Sequence, residues 1–365
     1  MVNRTDPKSN APIMMLSAGN GFIMQSVKYS RDNAGQSLKK YILLKQGELA
    51  YNHGASKAKQ FGCCYELTET EARIPYVYHC FKVSDTEYTP FVAATLNNPK
   101  MDKQLKRLVS SSVRMDGLLN ISFDDYMSVF LHLPSFAEQK KIADFLKKLD
   151  ERITTQEMLV ASLKKYKRGV VSAILSHRIV FSDADGKPYP EWTSCTLQDA
   201  VVFLDGQRKP LESADRARRQ GKYPYYGASG IIDYIDDYIF DEPLLLLGED
   251  GANIINRSTP LCFIATGKYW VNNHAHVMRP QNGHNIKFLC ELLESLDYTR
   301  YNTGTAQPKL NQEKCRGIEL NLPIYEEQCR IADFLSSLDQ KAEREQANLD
   351  CLLLFKRGLM QQLFI

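Results

Sequence analysis

Residues Leu133–Asp150 read L-P-S-F-A-E-Q-K-K-I-A-D-F-L-K-K-L-D, and residues Leu322–Asp339 read L-P-I-Y-E-E-Q-C-R-I-A-D-F-L-S-S-L-D. The two stretches begin at Leu133 and Leu322 and match each other without a gap. The same spacing separates the lysine-arginine-glycine triplets that begin at Lys167 and Lys356, so the match continues through both helices. Self-similarity at one long, fixed period indicates a duplicated unit. We therefore expect a fold in which the main elements occur twice.

Each copy carries apolar residues at alternating steps of four and three, which is the period of a coiled-coil seam. The seam residues are Ile142, Leu146, Leu149, Ile153, Val160, Leu163, Val170 and Ile174, then Ile331, Leu335, Leu338, Ala342, Leu349, Leu352, Leu359 and Leu363, with Gln156, Lys167, Glu345 and Lys356 in the gaps. Ser135 followed by Glu138 is typical of a helix start. The pattern predicts two long helices that pair with each other; two amphipathic helices that pack separately on their own domains are the alternative.

Composition favours a cytoplasmic protein of two or three domains. The 365 residues carry a net charge of +3, with basic residues clustered locally at 103–107 and 208–219. The nine cysteines form no C-x-x-C pair, which favours reduced thiols over a disulfide framework or a zinc ribbon. No apolar run approaches membrane-spanning length, and the first residues lack a secretory pattern, so no membrane partner is expected.

The chain divides into a first domain over residues 1–132, a first helix over 133–180, a second domain over 181–321 and a second helix over 322–365. Short apolar runs between glycine-rich loops predict that both domains are α/β or α+β. The runs are Ile42–Leu44, Tyr76–Tyr78, Val129–Leu133 and Leu244–Leu247, and Lys287–Ser295 is predicted to form a short helix.

Two similarities relate the domains to each other. Residues Ile42–Asn52 predict a strand, a tight turn at Gly47 and another strand, and residues Pro243–Asn253 carry a comparable pattern around Gly248. Each domain is also expected to end in a strand that leads into its helix, over Met127–Leu133 and Arg316–Leu322. Similar scaffolds with different loops predict two sites that do one task on different ligands.

Four further motifs occur in order in the second domain. They are Y-Y-G-A-S-G-I-I-D-Y-I (Tyr225–Ile235), G-E-D-G-A-N (Gly248–Asn253), N-N-H-A-H-V (Asn272–Val277) and G-T-A-Q-P-K-L-N (Gly304–Asn311). Together with the duplicated helix start, they resemble the conserved regions of type I restriction-modification specificity subunits, and the resemblance covers nearly the whole chain.

The resemblance implies two target recognition domains, each reading one half of a bipartite double-stranded DNA target. It implies that the helices form an antiparallel spacer with pseudo-two-fold symmetry. It also implies that two methyltransferase (modification) subunits dock on this frame and that restriction/translocase subunits join through the complex. Catalysis is not expected in this chain, so S-adenosylmethionine, ATP and Mg²⁺ are expected in the partner subunits.

The residue chemistry agrees with this expectation. The sequence contains no G-x-x-x-x-G-K-[ST] phosphate loop and no N-P-P-Y or D-P-P-Y stretch. His274, His276 and His284 lie close together in sequence, and a zinc site there is the alternative to histidines beside a polar groove. Because no fourth ligand has suitable spacing, we predict no metal site.

Candidate DNA contacts follow from side-chain chemistry. Thr305 and Lys309 suit phosphates and Gln307 suits adenine, although a turn that supports the last strand would explain the same loop. Base contacts are expected in the variable segments 53–59, 110–114, 207–209 and 253–257. The further candidates are His53, Ser56, Lys57, Lys59, Ser111, Arg114, Gln207, Arg208, Asn253, Asn273 and His274.

The first domain departs from the second at its start. The second opens with Tyr189–Trp192 and Leu197–Asp199, whereas Pro12–Met14 already resembles Pro224–Tyr226. By this comparison the first domain is expected to be truncated or naturally shortened. The predicted function is a DNA sequence-specificity subunit, and the alternative is a structural adaptor that binds only proteins.

Overall fold

The first domain combines short strands with short helices. The computed structural model describes residues 1–28, 35–57, 59–109, 119–304 and 307–364. The strands are β1 (Met14–Ser17), β2 (Gly21–Met24), β3 (Ile42–Lys45), β4 (Leu49–Asn52), β5 (Cys63–Glu66), β6 (Glu71–Ile74) and β7 (His79–Phe81). The helices are α1 (Gln25–Lys28), α2 (Thr89–Leu96), α3 (Pro99–Leu108) and α4 (Phe123–Met127), with a 3₁₀ helix at Gly35–Lys40. Antiparallel pairing gives a β1–β2 hairpin, a β3–β6 pair and a sheet in the order β5-β4-β7.

The predicted long helices are both present. Helix α5 (Phe136–Leu175) begins directly after Ser135. The second long helix is the last helix of the described chain, Tyr325–Leu363. Both helices lie within the predicted segments 133–180 and 322–365, and each begins three residues after the predicted start.

The second domain lies between these helices and is richer in strands. Its strands are β8 (Thr193–Thr196), β9 (Val201–Phe203), β10 (Gln220–Gly227), β11 (Gly230–Ile235), β12 (Phe240–Asp241), β13 (Leu244–Gly248), β14 (Cys262–Ala265), β15 (Lys268–Val271), β16 (Ala275–Pro280) and β17 (Glu319–Leu322). Its helices are α6 (Leu197–Ala200), α7 (Ser213–Arg218), α8 (Asn253–Asn256), α9 (Ile286–Ser295) and α10 (Gln312–Arg316), so that Tyr325–Leu363 is α11; 3₁₀ turns lie at Asp205–Gln207 and Thr299–Tyr301. The sheets have the orders β14-β13-β16-β9, β11-β10-β15-β12 and β17-β8.

The two domains share a common core plan. The sheet β5-β4-β7 matches β14-β13-β16 in order and antiparallel direction, and β7 and β16 both begin near a histidine that pairs with the central strand. Helices α2 and α9 follow these sheets, and α4 and α10 precede the long helices. The fold is therefore an internal repeat of two related α+β domains, each with one long helix.

The chain forms two compact units, and each unit takes half of each long helix. One comprises Met1–Glu157 with Ala347–Ile365, and the other comprises Met158–Gln346. These units cut across the four consecutive segments expected from sequence, because each half-helix packs with the domain beside it. We call them the first and second unit.

Within each unit the two half-helices pack antiparallel. In the first unit Leu149, Ile153 and Leu349 form one buried cluster, and Lys356 Nζ lies 2.5 Å from Asp150 Oδ1. In the second unit Lys167 Nζ lies 2.6 Å from Asp339 Oδ1. The two lysines occupy the same position of the sequence repeat, and so do the two aspartates. The lysines that interrupt the two apolar seams, Lys167 and Lys356, therefore each pair with an aspartate of the other long helix.

A buried glutamine attaches each long helix to its domain. Gln139 donates to Pro134 O (2.9 Å) and accepts from the Tyr88 N–H (2.9 Å) at the start of α2. Gln328 donates to Pro323 O (2.9 Å) and accepts from the Asn285 N–H (2.9 Å) at the start of α9. The glutamine of the repeated E-Q dipeptide therefore satisfies two backbone groups in each copy.

Two strand predictions in the first domain are wrong. Met127 ends α4 and residues 128–135 are in neither helix nor strand, whereas β17 in the second copy is a strand because it pairs with β8. Phe130 instead uses the side chain of Gln104, which accepts from its N–H at 2.9 Å and donates to its carbonyl at 3.0 Å. Tyr76–Tyr78 forms a turn closed by the Tyr78 N–H to Pro75 O.

The comparison between Gly47 and Gly248 is also corrected. Gly47 does make the turn between β3 and β4, with φ of 82°. Gly248 is instead the last residue of β13, and α8 follows it in place of a strand. An added Cβ on Gly248 would lie 2.7 Å from Ala228 O, so this glycine permits a close backbone approach. Strand pairing matches β13 with β4 and not with β3.

Replacing Gln328 with leucine is expected to destabilise the second unit. The change leaves Pro323 O and the Asn285 N–H without their partner, which costs about 1–3 kcal/mol for buried groups. Both tryptophans of the chain, Trp192 and Trp270, lie in this unit, so tryptophan fluorescence in urea reports its unfolding. Gln340→Leu, at an exposed position of the same helix, is the control; equal urea midpoints for Gln328→Leu and wild type would contradict the expected role.

Candidate nucleic-acid interface

Four loops of the second domain meet at one end of the sheet β14-β13-β16-β9. They are residues 205–209 after β9, 249–253 after β13, 272–274 before β16, and 302–304 with 307–311 before α10. Backbone hydrogen bonds connect them: Glu249 N–H to His274 O (2.9 Å), Leu310 N–H to Glu249 O (2.7 Å) and Gly251 N–H to Pro308 O (3.0 Å). The strand ends thus hold four polar loops in one surface.

Asp205 lies beneath this surface and is 7 % exposed at its side chain. Its Oδ2 accepts from His276 Nδ1 (2.7 Å) and Gln312 Nε2 (2.8 Å), and its Oδ1 accepts from the Val277 N–H (2.8 Å). Burial by itself raises the pKa of Asp205, but the hydrogen bond and charge of His276 outweigh it and hold the pKa below its usual value. Asp205 is therefore a buried carboxylate that joins three elements.

His276 is the cationic partner of this carboxylate. Its Nε2 faces Leu310 O at 2.7 Å, so both ring nitrogens face acceptors and both must carry hydrogen. Burial alone lowers the pKa of His276, yet the hydrogen bonds with Asp205 and Cys315 raise it to about 10. The His276 imidazole is therefore a buried cation that connects Asp205 to Leu310, and we call such a buried, bridging histidine a brace.

Arg208 extends the network towards the surface. Its guanidinium contacts Glu249 Oε2 at 2.8 Å and Ala275 O at 2.7 Å. Glu249 Oε1 in turn lies 3.4 Å from Lys309 Nζ, and the Lys309 side chain is 51 % exposed. Charges therefore alternate from the buried centre to a lysine at the surface.

Asn302 shapes the last of the four loops. Its Oδ1 accepts from the Gly304 N–H (3.0 Å) and the Lys309 N–H (2.9 Å), which closes the loop upon itself. These bonds hold the backbone of Gly304 and of Lys309 against one side chain, and Gln307 and Lys309 are exposed.

The predicted residues of the second domain fall into three groups. Gln207, Asn273, His274, Gln307 and Lys309 are exposed on the four loops. Arg208 and Asn253 are only partly exposed and bond within the domain: Arg208 joins the network above, and Asn253 Nδ2 donates to Thr259 O at 3.0 Å. Thr305 lies outside the described residues. His274 Nδ1 also lies 2.7 Å from Asp250 Oδ2.

The first-domain residues are less uniformly placed. Ser56 and Lys57 are exposed, but Lys59 Nζ donates to Asn97 O at 2.5 Å, and burial lowers the pKa of Lys59. His53 is buried, with Nδ1 facing Leu119 O at 2.8 Å and Nε2 facing Val77 O at 3.0 Å. Ser111 and Arg114 lie outside the described residues.

The domains share one histidine brace. His79 of β7 faces Ile121 O through Nε2 at 2.9 Å, just as His276 faces Leu310 O, and both carbonyls precede the cap of the next short helix. Burial lowers the pKa of His79, however, so His79 is the neutral counterpart of His276. Sequence reasoning missed Asp205, Glu249 and Asn302; only the acidic residues inside G-E-D-G were a signal for one of them.

The basic stretch 208–219 is largely paired within the domain. Arg216 Nε lies 3.1 Å from Asp233 Oδ2, with its guanidinium 5.2 Å from the Tyr225 ring centre. Arg219 Nη2 lies 2.8 Å from Asp236 Oδ1, with its guanidinium 5.1 Å from the Trp270 ring centre. These arginines stabilise the β10–β11 hairpin by ion pairing and cation–π contact.

Metal and membrane features are both absent from the described ranges. No group of three or more histidine, cysteine, aspartate or glutamate side chains there is arranged to hold a metal ion. In the same part of the chain, every helix is too short or too polar to cross a membrane.

The protonated His276 is expected to make the second unit less stable at high pH. A histidine with a raised folded-state pKa contributes stability that is complete below its unfolded pKa, about 6.5, and is lost as pH rises through about 10. Tryptophan-detected urea midpoints should therefore fall between pH 7 and pH 10, and His276→Gln should flatten this fall. Breaking the buried pair should also cost roughly 3–5 kcal/mol.

His274→Gln, at an exposed position two residues away, should keep the wild-type pH dependence and serves as the control. Equal pH dependence in wild type and His276→Gln would show that His276 is not charged in the folded protein.

The chain resembles known proteins both in sequence and in fold. Residues 189–351 match a family model described as the type I restriction modification DNA specificity domain. The chain is 32 % identical over 149 residues to S.HindORF215P of Haemophilus influenzae, provisionally named a type I restriction enzyme specificity subunit, with 40 % of this chain and 37 % of that protein covered. It is 30 % identical over 145 residues to the EcoprrI specificity subunit of Escherichia coli, with 40 % and 35 % covered. The chain spans little more than a third of the length of these two relatives.

The fold is similar over almost the whole chain to that of a solved structure. The S subunit of a type I restriction-modification system from M. genitalium superposes with a TM-score of 0.59 at 16 % identity, covering 99 % of this chain and 90 % of that one. The second domain therefore matches the type I restriction modification DNA specificity domain in sequence, and the chain resembles an S subunit in fold along nearly its whole length.

Proposed function

We propose that the chain is the DNA sequence-recognition subunit of a type I restriction-modification complex in the cytoplasm. Each domain reads one half of a bipartite double-stranded target, and the paired helices set the gap between the halves. The chain itself carries no catalytic step; S-adenosylmethionine, ATP and Mg²⁺ belong to the modification and restriction subunits.

The repeated frame is the observation that carries this proposal. Two related domains are each fastened to a long helix by the same buried glutamine, and the half-helices of each unit pair through the same lysine–aspartate contact. A bipartite target needs two similar readers on one spacer, which is what such a repeat provides. A protein-only adaptor has no comparable requirement for two related domains with different loops.

The polar surface of the second domain supports DNA as the ligand. Gln207, Asn273 and Gln307 expose amides, which can bond to base edges, and Lys309 exposes an ammonium group, which can bond to phosphate. Arg208 is directed into the domain and fixes the loops, so we reassign it from base contact to support.

Exposed apolar side chains on the two long helices are the basis for proposing two equivalent docking sites for modification subunits. Phe145 and Phe334 occupy the same position in the two copies and are 47 % and 36 % exposed. Tyr166 and Phe355 are a second such pair, 58 % and 52 % exposed. Apolar side chains exposed at repeated positions fit one kind of partner bound twice.

Native mass spectrometry of the complex is expected to find two modification subunits for each wild-type chain. Tyr166→Ser and Phe355→Ser, each in one copy, should each weaken the binding of one modification subunit and leave the other bound. Lys165→Ser, at an exposed neighbouring position, is the matched control. A wild-type complex with one modification subunit per chain would contradict the symmetric arrangement.

Lengthening the helices is expected to widen the gap in the DNA target without changing either half-site. At a rise of about 1.5 Å per residue, helix α5 spans about 60 Å. Seven more residues add about 10 Å, close to three base pairs at about 3.4 Å each. The ion pairs at Asp150–Lys356 and Lys167–Asp339 lie on either side of Gln156 in α5 and of Leu349 in α11. Seven residues inserted after both positions keep the seam and both ion pairs in register.

Methylome sequencing of cells with the variant complex measures both half-sites and the gap. Insertion after Gln156 alone shifts one side of the seam and is the comparison variant. A folded, active double-insertion complex with the parental gap would mean that the helices only clamp the domains. A wild-type complex that methylates no bipartite sequence would favour the adaptor.

A further inference from the structure

The four loops that would face DNA depend on one buried side chain. Asp205 itself belongs to the first loop; through His276 and Val277 it holds β16, and through Gln312 it holds the start of α10. His276 then holds Leu310 of the fourth loop, whose N–H bonds to Glu249 of the second loop. A single carboxylate is therefore connected to all four loops through at most three successive hydrogen bonds and the adjoining backbone.

The exposed candidates lie a short distance along the chain from these fixed points. Gln207 follows Asp205 by two residues, Asn273 precedes His276 by three, and Lys309 precedes Leu310 directly. Because the backbone transmits small displacements over so few residues, the brace determines where these side chains stand relative to one another.

Asp205 is too buried to contact DNA in this arrangement. Its side chain is 7 % exposed and its oxygens already accept from three donors. Arg208 Nη2 also lies 3.5 Å from Oδ2, and Glu249, Lys309 and Cys315 are the other ionisable groups around the pair. Asp205 can therefore affect DNA recognition only by positioning the groups to which it is hydrogen-bonded.

We propose that Asp205 is a positioning residue that sets the sequence specificity of the second recognition domain. Its ion pair with His276 and its bond to Gln312 hold the four loops in the one arrangement that matches the second half-site. This inference rests on the proposed function, in which that domain reads one half of a bipartite target. The first domain, whose corresponding brace is His79 to Ile121 O, reads the other half and should not respond.

The test is methylome sequencing of cells that carry the complete complex with Asp205→Asn. The amide turns a donor towards His276 or Gln312, so the loops lose their common anchor. We expect discrimination at bases of the second half-site to fall by about tenfold or more, the contribution of one good base contact. The first half-site and the gap should stay unchanged.

Gln312→Met is a milder second variant. It removes one hydrogen bond from Asp205 while leaving the buried ion pair intact, so it should relax the same half-site to a smaller degree. It also keeps the proposal falsifiable if Asp205→Asn fails to assemble. Tryptophan fluorescence and native mass spectrometry establish which variants fold and assemble.

Two controls separate positioning from a general loss of stability or of DNA affinity. Asp199→Asn removes an exposed carboxylate that bonds Thr196 at the start of α6, away from the loops, and should leave the motif intact. Lys309→Ala should lower methylation at all sites alike and reduce the salt dependence of DNA binding, as loss of one phosphate contact does.

Assembled Asp205→Asn or Gln312→Met complexes that keep the parental second half-site would overturn the inference, as would equal relaxation of both half-sites. A wild-type complex that yields no bipartite motif would instead reject the proposed function, and the inference with it. Relaxation confined to the second half-site, with Asp199→Asn unchanged, would establish the positioning role.

Discussion

A narrow apolar seam along each long helix is the constraint on which the rest of the structure depends. Residues that recur every 3.5 positions present one continuous stripe, and another helix must cover it. Packing alone would accept a partner shifted by seven residues. The contacts Lys356–Asp150 and Lys167–Asp339 distinguish the registers, because a heptad slip would separate each lysine from its aspartate. The second pair is the less exposed of the two and the more strongly connected, since Glu291 also contacts Lys167 at 2.7 Å.

The seam would be of little use if the domains could turn freely on the helices. Gln139 and Gln328 oppose this within each unit, because each bonds both to the turn that opens its long helix and to the N–H of the residue that caps a domain helix. A buried amide with both ends satisfied tolerates little rotation. In each unit the glutamine therefore connects the start of the long helix directly to the start of a domain helix.

The charged side chains of the second-domain network range from fully buried to exposed. Asp205 and His276 are buried, Arg208 and Glu249 are partly buried, and Lys309 reaches solvent. Buried ion pairs gain little net stability, but a buried charge that loses its partner is costly, so such pairs penalise alternative arrangements. This division fits the proposed DNA-binding surface, in which exposed groups contact the DNA and buried groups hold the loops in place.

Local periodicity and capping are enough to predict the repeat, both long helices, the buried strand β13 and the short helix α9. Residue chemistry likewise indicates the polar loops of the second domain. Whether a side chain faces solvent or its own domain depends on the folded chain: His53, Lys59 and Arg208 each bond to backbone or acids far away in sequence. The strand expected before α5 is lost because Gln104 takes the place of a pairing strand. No local pattern marks such long-range pairs, because their energy comes from burial and charge that arise only when the chain folds.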